Sequence, residues 1–236
     1  GQSTTNVRLE DWTIENSSIQ VSGNLATTNS QLGGFAGYLA SAANAPLNLK
    51  DINVAGTSTV SVSGNIAIGS QLGGFVANVA STANGDVKFS NTKITGNSSV
   101  AVTGTVSATS HIGGFAGQIA TGNQANHLLT IDGAGVEGTS TVSLGGNMTT
   151  ASSYFGGFVG LVQGRTQVNN IIKIAKVTNG TSNITITGTV QDKSGYFGGL
   201  AGYVTQGINL DNWTVKTAAN IALNGNVTVA SYVGGA

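Results

Sequence analysis

Six Gly-Gly pairs recur in phase along the chain: Gly33-Gly34, Gly73-Gly74, Gly113-Gly114, Gly156-Gly157, Gly198-Gly199 and Gly234-Gly235. Their spacings are 40, 40, 43, 42 and 36 residues. A second glycine series, Gly23, Gly64, Gly104, Gly146, Gly188 and Gly225, keeps the same period. Two markers holding one period is the signature of a repeat array, in which each unit buries its apolar surface against its neighbours. The units are read as approximately 7–46, 47–86, 87–126, 127–167, 168–207 and an incomplete 208–236, forming one array over 1–236.

Each unit contains three strand-like segments. Segment A is LEDWTI at 9–14, matched by LKDINV, FSNTKI and LDNWTV. Segment B is SIQVSGNL at 18–25, with six copies that alternate apolar and polar residues and are rich in Val, Ile and Thr, the pattern of a half-buried strand. Segment C is QLGGFAGYL at 31–39 and its equivalents. No segment has a helical period. Glycine is abundant (36 residues) while proline occurs once, which favours ordered β-structure with tight turns over a disordered or collagen-like chain.

Three strands and three turns fit 40 residues most economically when equivalent segments stack as parallel rungs about 4.8 Å apart. The fold expected is therefore an all-β parallel β-solenoid (β-helix) of about six repeats, three strands per repeat, with a flattened cross-section. Val21, Val62, Val102, Leu144, Ile186 and Leu223 would form an aliphatic ladder. Phe35, Phe75, Phe115, Phe158 and Leu200 would form a mostly aromatic one. The competing architecture is a propeller or sandwich with antiparallel hairpins inside each unit.

The GGFAG, GGFVG and GGLAG cores resemble GLUG-motif repeats. Gly199-Leu200-Ala201-Gly202 matches the Gly-Leu-any-Gly core literally. Gly34-Phe35-Ala36-Gly37, Gly114-Phe115-Ala116-Gly117 and Gly157-Phe158-Val159-Gly160 match with Phe for Leu, and the second unit departs at Ala77. The resemblance covers segment C of five units. It implies a surface or extracellular β-structure, as in large bacterial and protist cell-surface proteins, and it implies no catalytic residue.

Composition narrows the functional classes. Nine basic and nine acidic residues leave no net charge, and only 8% of residues are charged, against about 25% in an ordinary domain. Such a chain has no electrostatic footprint for nucleic acid or anionic lipid. No apolar run reaches the roughly 18 residues of a membrane span. There is no cysteine, so neither a disulfide framework nor a Cys-based zinc site is expected. Gly1 to Asn6 show neither a basic nor an apolar leader region, the expectation being that any signal peptide is already removed.

Several residues are candidates for a site. Asp11, Asp51, Asn91 and Asn212 share a column, interrupted in the fourth and fifth units by Gly133 and Ile174 in this alignment. Stacked carboxylates could act as an acid/base pair on a sugar. However, the five-residue step from Leu9 to Ile14 breaks strand alternation and points to a corner, where Asp and Asn belong. His111 lies in the column Gln31, Gln71, His111, Tyr154, Tyr196, Tyr232, read as a stacking ladder. His127 sits in a turn without carboxylates at metal-ligand spacing, and the Asp-rich calcium-binding nonapeptide is absent. Trp12 and Trp213 share a column and either hold a glycan face or close the ends of the stack. Asn16, Asn97, Asn147, Asn179, Asn183, Asn212 and Asn226 stand in Asn-x-Ser/Thr sequons, a number close to chance for this composition. Arg8 and Arg165, the two arginines, lie four units apart, unlike the clustered Asp, Arg and Lys of β-helical polysaccharide enzymes.

No catalytic residue, metal or cofactor is therefore expected. The leading expectation is a structural glycoprotein of an extracellular or cell-surface fibre, stalk or layer. It would self-associate into filaments through its ends or through an apolar face of segment C. In that segment Leu32 and Ala36 would point one way and Phe35 and Leu39 the other, as would Leu72 and Val76 against Phe75 and Val79. The alternative is a carbohydrate- or host-binding adhesin module.

Overall fold

The computed structural model describes residues 7–26, 29–41, 45–81, 85–121, 128–149, 152–164, 171–191, 195–205 and 207–235. His127, Arg165, Gly1 to Asn6 and Ala236 lie outside them. The described residues are all-β, without helix, and wind a β-solenoid of about five turns. Every strand pairing among them is parallel and joins equivalent positions of successive units. Val21 pairs with Val62, Val62 with Val102, Val102 with Leu144, Leu144 with Ile186 and Ile186 with Leu223. The antiparallel alternative is thereby excluded.

Segment B follows its period-two pattern. In Ser58–Val62 the side chains of Ser58, Val60 and Val62 are buried while Thr59 and Ser61 face outward. Burying each such aliphatic side chain contributes about 1.5–3 kcal/mol. Segment A needs a break in alternation, because Leu47 and Leu49 are interior before it and Ile52 and Val54 after it. Asp51 provides the break by adopting φ of 52°, in the left-handed region. Asp11, Asn91 and Asn212 do the same at 56°, 50° and 51°. The corner reading of this column holds. Gly133, at φ 74°, interrupts the Asp/Asn side chains in the fourth unit as expected, but the fifth-unit member is Lys176 at φ 53° rather than Ile174, since Ala175 pairs with Asp211. Asn and Asp tolerate this conformation best among residues with a Cβ, and glycine tolerates it freely.

Segment C is bent. It forms two short strands, Gln71–Gly73 and Val76–Ser81 in the second unit, with the corner between them. The corner divides the interior into two cores. Leu72, Ile112 and Phe155 pack with the ladder of segment B. Phe75, Val76 and Val79 pack with segment A, as do Phe115, Ala116 and Ile119. Val76 thus sides with Phe75, not with Leu72, because the chain reverses direction between them. Both apolar sides of segment C are interior in the second to fourth units, so the uncovered apolar face expected there is absent from those three units.

Two contacts explain the Gly-Gly pair. A Cβ on Gly73 would lie 2.0 Å from the Val76 carbonyl oxygen and 2.8 Å from the Gly117 amide nitrogen, because the two halves of segment C meet backbone to backbone. A Cβ on Gly74 would lie 2.0 Å from the Ser98 hydroxyl oxygen, across the coil. That serine belongs to a column between the two cores, half-buried at Ser17 and buried at Ser58, Ser98, Ser140 and Ser182. Ser17, Ser98 and Ser140 donate to the carbonyls of Gly34, Gly114 and Gly157 at 2.5 Å, and Ser58 donates to that of Gly74.

Candidate functional site

The outward side of segment C carries the ladder that includes His111. Gln31, Gln71, His111, Tyr154, Tyr196 and Tyr232 stand in register. Ring centroids are 5.4 Å apart for His111–Tyr154, 4.9 Å for Tyr154–Tyr196 and 4.8 Å for Tyr196–Tyr232. Tyr203 joins from the second half of the segment, 5.3 Å from Tyr154 and 5.1 Å from Tyr196. His111 Nδ1 and Gln118 Oε1 are 3.2 Å apart, and Gln118 in turn donates to Gln163 at 3.1 Å. Burial pushes the His111 pKa down to about 4, the Gln118 bond offsetting part of the effect. At neutral pH the ring is uncharged and serves as one more planar polar group in a stack. The rings of Tyr154 and Tyr196 meet other rings, and Tyr232 is 59% exposed.

In the corner column the Asp51 carboxylate is held by its neighbours. The Asp51 carboxylate accepts from Asn91 Nδ2 at 2.7 Å, and this bond, reinforced by Lys50 at 3.3 Å, holds its pKa below the usual carboxylate range. A general acid needs the opposite shift. The other ion pairs also lie along segment A or its corner: Arg8–Glu10 at 2.7 Å, Lys93–Glu137 at 2.9 Å and Lys176–Asp132 at 3.1 Å. The Arg8 hydrogen bond lowers the Glu10 pKa in the same way. Such exposed pairs contribute little to stability, because water and salt screen them. Among the described residues no group of three or more His, Cys, Asp or Glu stands close enough to hold a metal ion.

Trp12 and Trp213 occupy the interior-facing column of Ile52, whose neighbours Thr92, Ala134 and Val177 are also buried. Trp213 packs edge-on against Phe158 at 5.5 Å and donates Nε1–H to the Ile174 carbonyl at 3.0 Å. It packs on the core, in line with the packing reading. Trp12, on the first rung, is 52% exposed.

The sequon asparagines divide by environment. Asn16, Asn97, Asn147, Asn212 and Asn226 are exposed, Asn183 is half-buried and Asn179 is fully buried. Three exposed members also hold the coil together. Asn16, Asn97 and Asn147 each accept, through Oδ1, the backbone N–H of Thr57, Thr139 and Thr189 on the next rung, at 2.8–2.9 Å. Asn24 and Asn65 do the same for Asn65 and Thr105. Sequence reasoning misses these amide caps and the buried serine column. A signal for the serines does exist: one residue type recurs four positions before Val21, Val62, Val102, Leu144 and Ile186.

Compared with known protein families, curated proteins and solved structures, the chain matches none of them.

Proposed function

We propose that this array is a structural element of an extracellular or cell-surface fibre, stalk or layer. The observation that supports it is the uniformity of the ladders. The Phe35, Phe75, Phe115 and Phe158 rings stack at 4.9, 4.8 and 5.1 Å, and the serine, glycine and aliphatic columns run beside them. In such a stack each rung touches its neighbours alone, so repetition supplies length and stiffness. The GLUG-like cores agree with a surface location. Self-association belongs to the same reading. Electron microscopy and sedimentation of the full-length native protein test it: filaments or ordered layers are expected, and discrete monomers at high concentration would reject assembly.

A second reading, an adhesin module for carbohydrate, has one observation in its favour. Tyr154, Tyr196, Tyr203 and Tyr232 form a contiguous aromatic strip continued by His111, Gln118 and Gln163. Stacking on a sugar requires a free ring face, and the rings of Tyr154 and Tyr196 each lie against two or more others. A glycan-binding screen comparing the parent with Tyr203→Ala and Tyr232→Ala distinguishes the two readings.

A further inference from the structure

Ile14, Val54, Ile94 and Val136 form an interior aliphatic column at the corner between segments A and B, and Val215 continues it in the sixth unit. The fifth unit places Asn179 there, between Val136 and Val215. The corner that follows is one residue shorter than in the units on either side. The step from Asn179 to Ser182 is three positions, against four from Val136 to Ser140 and four from Val215 to Ala219. Pairing with the sixth unit shifts register at this point, between Asn179 and Thr181.

The amide bridges the irregularity. Asn179 Oδ1 accepts the Val136 backbone N–H at 3.0 Å, and Nδ2 donates to Ser182 Oγ at 3.1 Å. The side chain is 0% exposed. The surroundings are closed: even a Cβ on the next residue, Gly180, would lie 2.3 Å from the Glu137 carbonyl oxygen. Asn16, Asn97 and Asn147 differ in being exposed, although their bond to the next rung likewise uses Oδ1.

N-glycan transfer attaches a sugar at Nδ2, and it takes place before a chain has folded. In the unfolded chain Asn179-Gly180-Thr181 is as open as any other sequon. We infer that occupancy at Asn179 and closure of the fifth rung exclude one another, so that an N-glycosylating compartment would sort these chains by modification at this one site. A sugar at Nδ2 takes one of its two N–H positions and introduces a bulky ring with several hydroxyls beside a fully buried amide. This inference does not rest on the proposed function.

The test is translation of the full chain into glycosylating microsomes, followed by limited proteolysis and glycopeptide mass spectrometry. The double variant Val102→Asp/Val142→Asp, with two charges in the segment B ladder, supplies the unfolded reference. Occupancy at Asn179 is expected to be at least ten-fold lower in the protease-resistant parent than in the unfolded variant, with a ratio near one at Asn212 and Asn226. Comparable Asn179 occupancy in the protease-resistant parent overturns the inference. So does a failure to modify Asn179 in the unfolded variant, since the sequon would then be closed for a reason other than folding.

Discussion

The Ser98 hydroxyl donates to the Gly114 carbonyl at 2.5 Å, joining segment B to the corner of segment C across the buried partition between the two cores. Gly114 also accepts the Gly74 N–H at 3.1 Å, so the carbonyl keeps one partner when the serine is removed. Ser98→Ala is therefore expected to lower stability by about 1 kcal/mol. Ser98→Val places methyl groups against the Gly74 backbone and is expected to cost about 3 kcal/mol. Urea titration of the two variants measures both, and equal losses would mean that the column does not pack as described.

The glycine pairs predict a position-dependent scan. Gly114→Ala would set a Cβ 1.7 Å from the Ser140 hydroxyl oxygen and 2.3 Å from the Gly157 carbonyl oxygen. A loss of about 3 kcal/mol is expected, since neither neighbour can withdraw without opening a rung. Gly23→Ala and Gly234→Ala meet no atom within 4 Å and should stay within about 0.5 kcal/mol of the parent. Thermal melts of the three variants make the comparison.

Val102 is 1% exposed in the middle of the aliphatic ladder. Val102→Asp leaves a carboxylate there without a partner, which destabilises by several kcal/mol or opens the rung. Proteolytic susceptibility reports the outcome. A variant as resistant as the parent would contradict the inward placement of segment B.

His111 makes stability depend on pH. Its folded pKa lies near 4, below the 6.5 of an unperturbed histidine, so between these values the unfolded chain binds the extra proton. The stabilisation is complete above about pH 6.5 and declines as pH falls toward 4, by about 1–3 kcal/mol in all. His111→Gln removes the titration while keeping a residue type that the column already carries at Gln31 and Gln71. The melting temperature of the parent should fall more between pH 7 and pH 4.5 than that of the variant.

Asp11→Asn and Asp51→Asn should leave any glycan-directed assay unchanged. They retain a residue suited to the left-handed backbone that both positions adopt. Reproducible glycan cleavage lost on either substitution would overturn the structural reading of this column.

The repeat, the parallel pairing and the register of segment B are all legible in the spacing of residues along the chain. In a parallel solenoid equal positions share a column, so the period of Val21, Val62 and Val102 is already the register. The corner at Asp11 and Asp51 is also legible, because an odd step between apolar residues has few backbone solutions. What spacing leaves open is whatever depends on chain direction after a residue without a side chain. Gly73 and Gly74 carry no polarity to follow through the bend, so alternation alone puts Val76 on the side of Leu72 and leaves an apolar face uncovered, whereas the bend buries both. Insertions and deletions between segments hide Lys176 behind Ile174 for the same reason, since counting cannot locate a lost residue inside a loop. The buried role of the serines, and the closure of Asn179 inside an aliphatic column, depend on which backbone lies opposite. Local alternation determines which residues seek the interior, but only the path of the coil decides what they meet there.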